Sequence, residues 1–282
     1  MPAKIIDGKK IADGILDEIK LKIAKSKTRP GLALVLVGDN PASQIYVNSK
    51  EKKCREVGIY VERHNLPKET SEVDLLVLIE KLNQKKEIHG ILVQLPLPKH
   101  IDENLITNAI LAHKDVDGFT SASLGNLVSE KTGMAPATAI ASVYLVESTG
   151  TKIEGKNAVI IGRSKIVGKP AALLLLEKNA TVTICHSKTK DLKEHTKNAD
   201  IIIAAVGKPK LITKDMVKHG AIVIDVGINR VNEKIVGDVD YENVKEVAGF
   251  ITPVPGGVGP MTIAMLIKNT LRAKEIYESI SK

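Results

Sequence analysis

The 282 residues, 43% apolar and 26% charged, are enough for two ordinary domains, each with its own core. No stretch reaches the roughly 18 unbroken apolar residues of a membrane helix, Met1–Lys10 lacks the apolar block of a secretory signal, and Cys54 and Cys185 alone can build neither a disulfide framework nor a thiolate-rich metal site, so a cytoplasmic protein without metal is expected. The net charge of +8 would suit an anionic ligand; nucleic acid is not the expected partner, because the lysines are dispersed and aromatics make up only 2% of residues, leaving no row of rings for bases to stack on.

Short aliphatic runs alternate with longer amphipathic stretches, and the first run is Leu32–Val37. Asp39-Asn40-Pro41 then reads as a helix start, a capping side chain before a first-turn proline, and Gly58 marks its end about four turns later. Tyr46 and Lys50 are one turn apart and share a face; spacing alone is equally met by an ordinary exposed pair. The run Ile91–Gln94 delivers an amide at its carboxyl end before Leu95-Pro96-Leu97-Pro98 stops it, and a lysine facing such a glutamine would be placed to carry a proton. Lys114-Asp115-Val116-Asp117-Gly118 follows, with a boundary expected near Asp117–Thr120 and a connector over Phe119–Thr138.

The second unit is expected from about Ala137 to Pro260. Ala158–Gly162 reads as a strand running through Arg163-Ser164-Lys165-Ile166-Val167 to Gly168 and a helix from about Ala171. Glycines at such a turn let N–H groups approach a pyrophosphate, although the same residues would serve a tight turn without a ligand. The next strand, Thr181–Cys185, leads into His186-Ser187-Lys188 with no acid to bind ribose hydroxyls. Arg163, Ser164, Ser187 and Lys188 would instead donate to a 2′-phosphate, which favours NADP over NAD. Ile201–Ala205 and Ile222–Val226 complete the runs, the last opening into Gly227-Ile228-Asn229. Near-continuous apolar strands separated by helices indicate the α/β class with parallel sheets covered on both faces. Thr252–Thr262, with three glycines and three prolines, reads as a rigid loop that would lie flat against a planar ligand or simply join two domains, and Met261–Ile280 reads as a closing helix.

Six motifs in this order resemble the methylenetetrahydrofolate dehydrogenase/cyclohydrolase family over nearly the whole chain: Val37-Gly38 to Lys50, Gly90 to Pro98, Lys114 to Phe119, Gly162-Arg163-Ser164 with Val167 to Pro170, Asp225 to Asn229, and Pro253 to Thr262. The resemblance implies two domains facing a cleft: a folate-binding catalytic domain (1–119, with 261–282 returning to it) and a Rossmann-like, doubly wound NADP domain (120–260). It implies Lys50 as the lysine of a hydrolytic step, Gln94 tuning it, Tyr46 stacking near the folate and Asp117 holding the pterin. Val93, Leu95 and Pro255, Gly256, Gly257, Val258 and Gly259 would line the folate pocket, while Gly162, Arg163, Ser164, Ser187 and Ile228 would contact NADP. The expected activity is oxidation of 5,10-methylenetetrahydrofolate followed by hydrolysis of the methenyl product, in a homodimer built through the nucleotide domains. The chain departs from the family pattern at Thr120, Ser121 and Ser123, and at Ala137 and Ala139, all in the connector and none at a named catalytic position.

Overall fold

The computed structural model describes residues 2–129 and 133–280. In chain order the elements are β1 (Lys4–Ile5), α1 (Gly8–Ala24), β2 (Gly31–Val37), α2 (Pro41–Glu56), β3 (Tyr60–Leu66), α3 (Glu72–Gln84), β4 (Gly90–Val93), α4 (Glu103–Asn108), α5 (Ser121–Val128), α6 (Ala137–Glu147), β5 (Asn157–Ile161), α7 (Gly168–Leu176), β6 (Thr181–Cys185), α8 (Leu192–Thr196), β7 (Ile201–Ala204), β8 (Ile222–Asp225), β9 (Asn229–Val231), β10 (Lys234–Val236), α9 (Tyr241–Val244), β11 (Phe250–Ile251) and α10 (Val258–Ile280). They fall into two compact units: residues up to Asp13 pack with Thr138–Met265, and Gly14–Ala137 pack with the chain from Leu266 onward.

The three-stranded unit carries a parallel sheet in the order β3-β2-β4. All seven residues of β2 and all four of β4 are buried, which is why both read as unbroken aliphatic runs. The core on one face gathers Ala33, Val35, Leu75, Ile79, Leu82 and Ile91. The chain places β3 on one side of β2 and β4 on the other, so the progression reverses between β2 and β4.

The six-stranded unit is parallel throughout, in the order β1-β11-β8-β7-β5-β6. Here the progression reverses between β5 and β7, the doubly wound pattern, and ligands of such sheets bind beyond the carboxyl ends at that reversal. Each unit therefore has one such point.

The structure departs from expectation in several places. The compact units divide elsewhere than 119/120 and 260/261. Residues 120–129 pack in the three-stranded unit, and β1 lies in the other, where Lys4 and Ile5 pair with Phe250 and Ile251. A strand this short leaves no periodicity to read. Part of the expected connector is helix α5, because Thr120 caps it: its hydroxyl accepts from the Ser123 N–H at 3.0 Å. Residues 130–132 of that connector lie outside the described residues. Helix α7 begins at Gly168, before the expected Ala171, and α10 begins at Val258. Pro260 sits in the first turn of α10, where its missing N–H has no partner to lose, so the rigid loop is shorter than expected. No helix among the described residues is long and apolar enough to cross a membrane.

Candidate active site

In the three-stranded unit α2 follows β2 directly. Asn40 starts the helix, its side chain accepting from the Ala42 and Ser43 N–H groups at 3.0 and 3.2 Å, with Pro41 in the first position. Val47 and Cys54 face the core; Tyr46 is 42% exposed and Lys50 half-buried. Burial pushes the Cys54 thiol up to about 12, so this neighbour of Lys50 stays protonated and inert.

Gln94 follows the last residue of β4, and its N–H still donates to the Val35 carbonyl at 2.8 Å, so it leaves the sheet beside β2 at the carboxyl edge. There the Lys50 ammonium donates to Gln94 Oε1 at 3.1 Å, and Gln94 Nε2 donates to the Leu95 carbonyl at 2.6 Å. The second bond fixes which end of the amide meets the lysine. Asp117 lies within reach of the same charge: desolvation raises its carboxyl above the ordinary range, the Lys50 ammonium pulls it back, and Asp115 adds to the rise. The structure thus brings Lys50 and Gln94 together at the reversal point, with the Asp117 carboxyl close enough to feel the Lys50 charge and the exposed Tyr46 ring one turn earlier on the helix. Val93 is 7% exposed and part of the core, so only its main chain can meet a ligand; Leu95 is half-buried against the same core.

Two residues of the Lys114–Gly118 segment have roles that the motif did not show. Asp115 is buried and accepts from the N–H groups of Gly118, Phe119 and Thr120 at 2.9, 3.2 and 2.8 Å, closing the turn that presents Asp117. Lys114 turns inward and donates to the Leu82 and Lys85 carbonyls at the carboxyl end of α3, at 3.1 and 2.7 Å. Desolvation lowers its pKa to about 8.

In the six-stranded unit β5 runs into Gly162 at φ +123°, where a Cβ would lie 2.3 Å from the Ala205 carbonyl oxygen beyond β7. Only glycine fits where the ends of β5 and β7 approach this closely, and the turn so formed lies at the reversal point and leads into the N-terminus of α7, where backbone N–H groups can meet a phosphate. Ser164 braces the turn, its hydroxyl oxygen accepting from the Val167 N–H at 3.1 Å and leaving its own O–H as a donor. Arg163 beside it is exposed.

Beyond β6 the chain makes a tight turn in which the His186 N–H donates to Thr189 Oγ1 at 2.8 Å and the Lys188 N–H to His186 Nδ1 at 3.1 Å. The imidazole is engaged within the turn, and Ser187 and Lys188 stand exposed at its tip with no carboxylate among them. Ile228, after β8, is 51% exposed. Of the proline-glycine segment, Pro255 and Gly259 are exposed and Gly256 half-buried, whereas Gly257 and Val258 are buried.

Both parts of the chain match family models. The tetrahydrofolate dehydrogenase/cyclohydrolase catalytic domain matches residues 6–117, and the NAD(P)-binding domain of the same name matches residues 136–278. Among curated relatives, the bifunctional protein FolD of Moorella thermoacetica is 58% identical over 277 residues, covering 97% of this chain and 99% of its own. That of Listeria innocua is 55% identical over 280 residues, covering 98% and 99%. Among solved structures, the FolD dehydrogenase/cyclohydrolase of Campylobacter jejuni superposes with a TM-score of 0.96 at 49% identity, covering 97% of this chain and 99% of that one. The Trypanosoma brucei enzyme, solved with NADP cofactor and an inhibitor, gives 0.94 at 36% identity with full coverage of both.

Proposed function

This chain belongs to the tetrahydrofolate dehydrogenase/cyclohydrolase family, and from that membership we infer that it oxidises 5,10-methylenetetrahydrofolate with NADP and hydrolyses the methenyl product to 10-formyltetrahydrofolate. Bound NADP supplies the hydride acceptor. The residues of the Gly162 turn fit that cofactor: its backbone N–H groups, at the start of α7 and beyond the carboxyl end of β5, would meet the pyrophosphate, Arg163, Ser164 and Ser187 would donate to the 2′-phosphate, and Ile228 would pack against the nucleotide.

The Lys50–Gln94 pair supports the hydrolytic reading best. Water adds to the one-carbon bridge of the methenyl cation and the ring opens to leave the formyl group on one nitrogen. Lys50, held by Gln94, moves the proton that this requires, and its positive charge lies beside Asp117. Asp117 holds the pterin, Tyr46 stacks near it, and Val93 and Leu95 line the folate pocket on this unit's side. A Lys50→Met enzyme should still reduce NADP while methenyltetrahydrofolate accumulates; hydrolysis of added methenyltetrahydrofolate at the parent rate would remove Lys50 from this role.

The chain works in the cytoplasm as a homodimer joined through the six-stranded unit. Supporting this, β6 is the edge strand of that sheet and leaves Ile184 39% exposed, close in sequence to Leu176, which is 57% exposed. Sedimentation should give twice the 30.4 kDa chain mass, and a monomer at micromolar concentration would refute the pairing.

A further inference from the structure

We infer that Asp238 is a positioning residue for the nicotinamide half of NADP, holding the two loops that follow β7 and β8 in one shape; this rests on the reading of the six-stranded unit as the cofactor site. The sheet order supplies the layout. Strands β6 and β5, with Ser187 and the Gly162 turn, lie on one side of the reversal point, and β7 and β8 on the other. A dinucleotide whose 2′-phosphate is met at Arg163 and Ser187 therefore has its nicotinamide end over the loops Val206-Gly207-Lys208 and Val226–Asn229.

Asp238 binds both loops. Its side chain is wholly buried, and Oδ2 accepts from the Val206 and Gly207 N–H groups at 2.7 and 3.0 Å. Oδ1 accepts from the Lys208 N–H at 2.8 Å and from Asn229 Nδ2 at 2.9 Å. Asp238 is itself anchored by Asp225, the last residue of β8. The Asp225 carboxylate accepts from the N–H groups of Gly227, Asp238 and Val239, each at 2.9 Å, and its own N–H donates to Thr252 Oγ1 at 2.8 Å. The approach is so close that a Cβ at Gly237 would lie 1.8 Å from Asp225 Oδ2. One connected set of bonds thus fixes the strand ends of β7, β8 and β11.

Two carboxylates kept this close and dry are unfavourable. Burial lifts Asp225 to about 6 even though three N–H groups stabilise its charge, and the Asp238 charge adds to the rise. Neutral side chains would hold a purely structural turn at lower cost. What a buried carboxylate adds is up to four acceptor sites at fixed directions, and Asp238 uses them to aim three consecutive N–H groups of one loop and an amide of the other.

An Asp238→Asn substitution turns one acceptor into a donor facing those N–H groups. Calorimetric titration with NADP should show Kd raised by roughly tenfold or more, the scale of a lost bond to a buried charge. The KM for NADP should rise with it. The ratio of NADP to NAD use should stay constant, since the 2′-phosphate is met elsewhere, and hydrolysis of methenyltetrahydrofolate supplied without cofactor should be unchanged. An Asn229→Ala enzyme, losing one donor only, should shift Kd in the same direction by a few-fold and decides the matter if Asp238→Asn does not fold. Unchanged NADP affinity in the folded variants, or a fall in kcat alone with KM and Kd as in the parent, overturns the proposal. A parent that binds no NADP overturns the cofactor reading and this proposal with it.

Discussion

Replacing Gln94 by alanine separates the two activities most sharply. The change removes the acceptor of the Lys50 hydrogen bond and the Nε2 bond to the Leu95 carbonyl that fixes the amide. A hydrogen bond to a charged group contributes roughly 1.5–3 kcal/mol, and because Lys50 and Gln94 are both half-buried the lower end applies. At about 1.4 kcal/mol per tenfold, the rate of methenyl hydrolysis should fall about tenfold. Gln94 lies just outside the buried run of β4, so stability should move by no more than ~0.5 kcal/mol. Reduced cofactor and methenyltetrahydrofolate are followed separately: NADPH should form at near the parent rate while the methenyl compound builds up. A variant that hydrolyses as fast as the parent, or that loses both steps in equal measure, refutes the argument that the amide acts through Lys50.

Arg163→Ala should lower kcat/KM with NADP by roughly tenfold, the worth of one charged contact to a phosphate, and leave NAD turnover nearly unchanged; equal losses with both cofactors would place Arg163 away from the 2′-phosphate. Lys114 predicts a pH effect on stability. Its folded pKa is lowered to about 8 against the ordinary 10.5 of an unfolded lysine, so between those values the unfolded chain binds more protons. Stability relative to a Lys114→Met variant should be flat below about pH 8 and rise from there to about 10.5, by no more than ~1.4 kcal/mol per pH unit. Urea melts of both proteins across that range check it, and a difference that ignores pH would show that Lys114 titrates normally.

Five of the six aliphatic strands were legible because they are buried along nearly their whole length, and burial of that kind leaves no polar alternation; the sixth, β6, is largely exposed and was legible from its β-branched residues alone. Strand β3 escaped notice because it is half exposed and carries Glu62-Arg63-His64-Asn65, which leave no aliphatic run to read. Helix α5 has no readable apolar stripe and depends on Thr120 as its cap and on Asp115 fixing the Thr120 N–H at 2.8 Å. Within the site, helical spacing set Tyr46 and Lys50 on one face, but the Lys50–Gln94 contact joins residues 44 apart and needs β2 and β4 to be neighbours. Which acid of Asp115 and Asp117 would turn inward is likewise decided by the tertiary turn. Asp238 carried no motif at all, since its partners are mostly backbone N–H groups that any residue supplies.

The sealed strands of the three-stranded unit have a bearing on how such a protein changes over time. No side chain along β2 or β4 can be exchanged for a reactive one without opening the interior, whereas the next position, Gln94, stands where the packing ends. Variation in catalysis is therefore confined to a rim of residues whose replacement leaves the fold standing. A library randomised at Gln94 and Leu95 should yield mostly folded proteins of widely differing activity, and the same library at Leu34 and Leu92 should yield mostly aggregates.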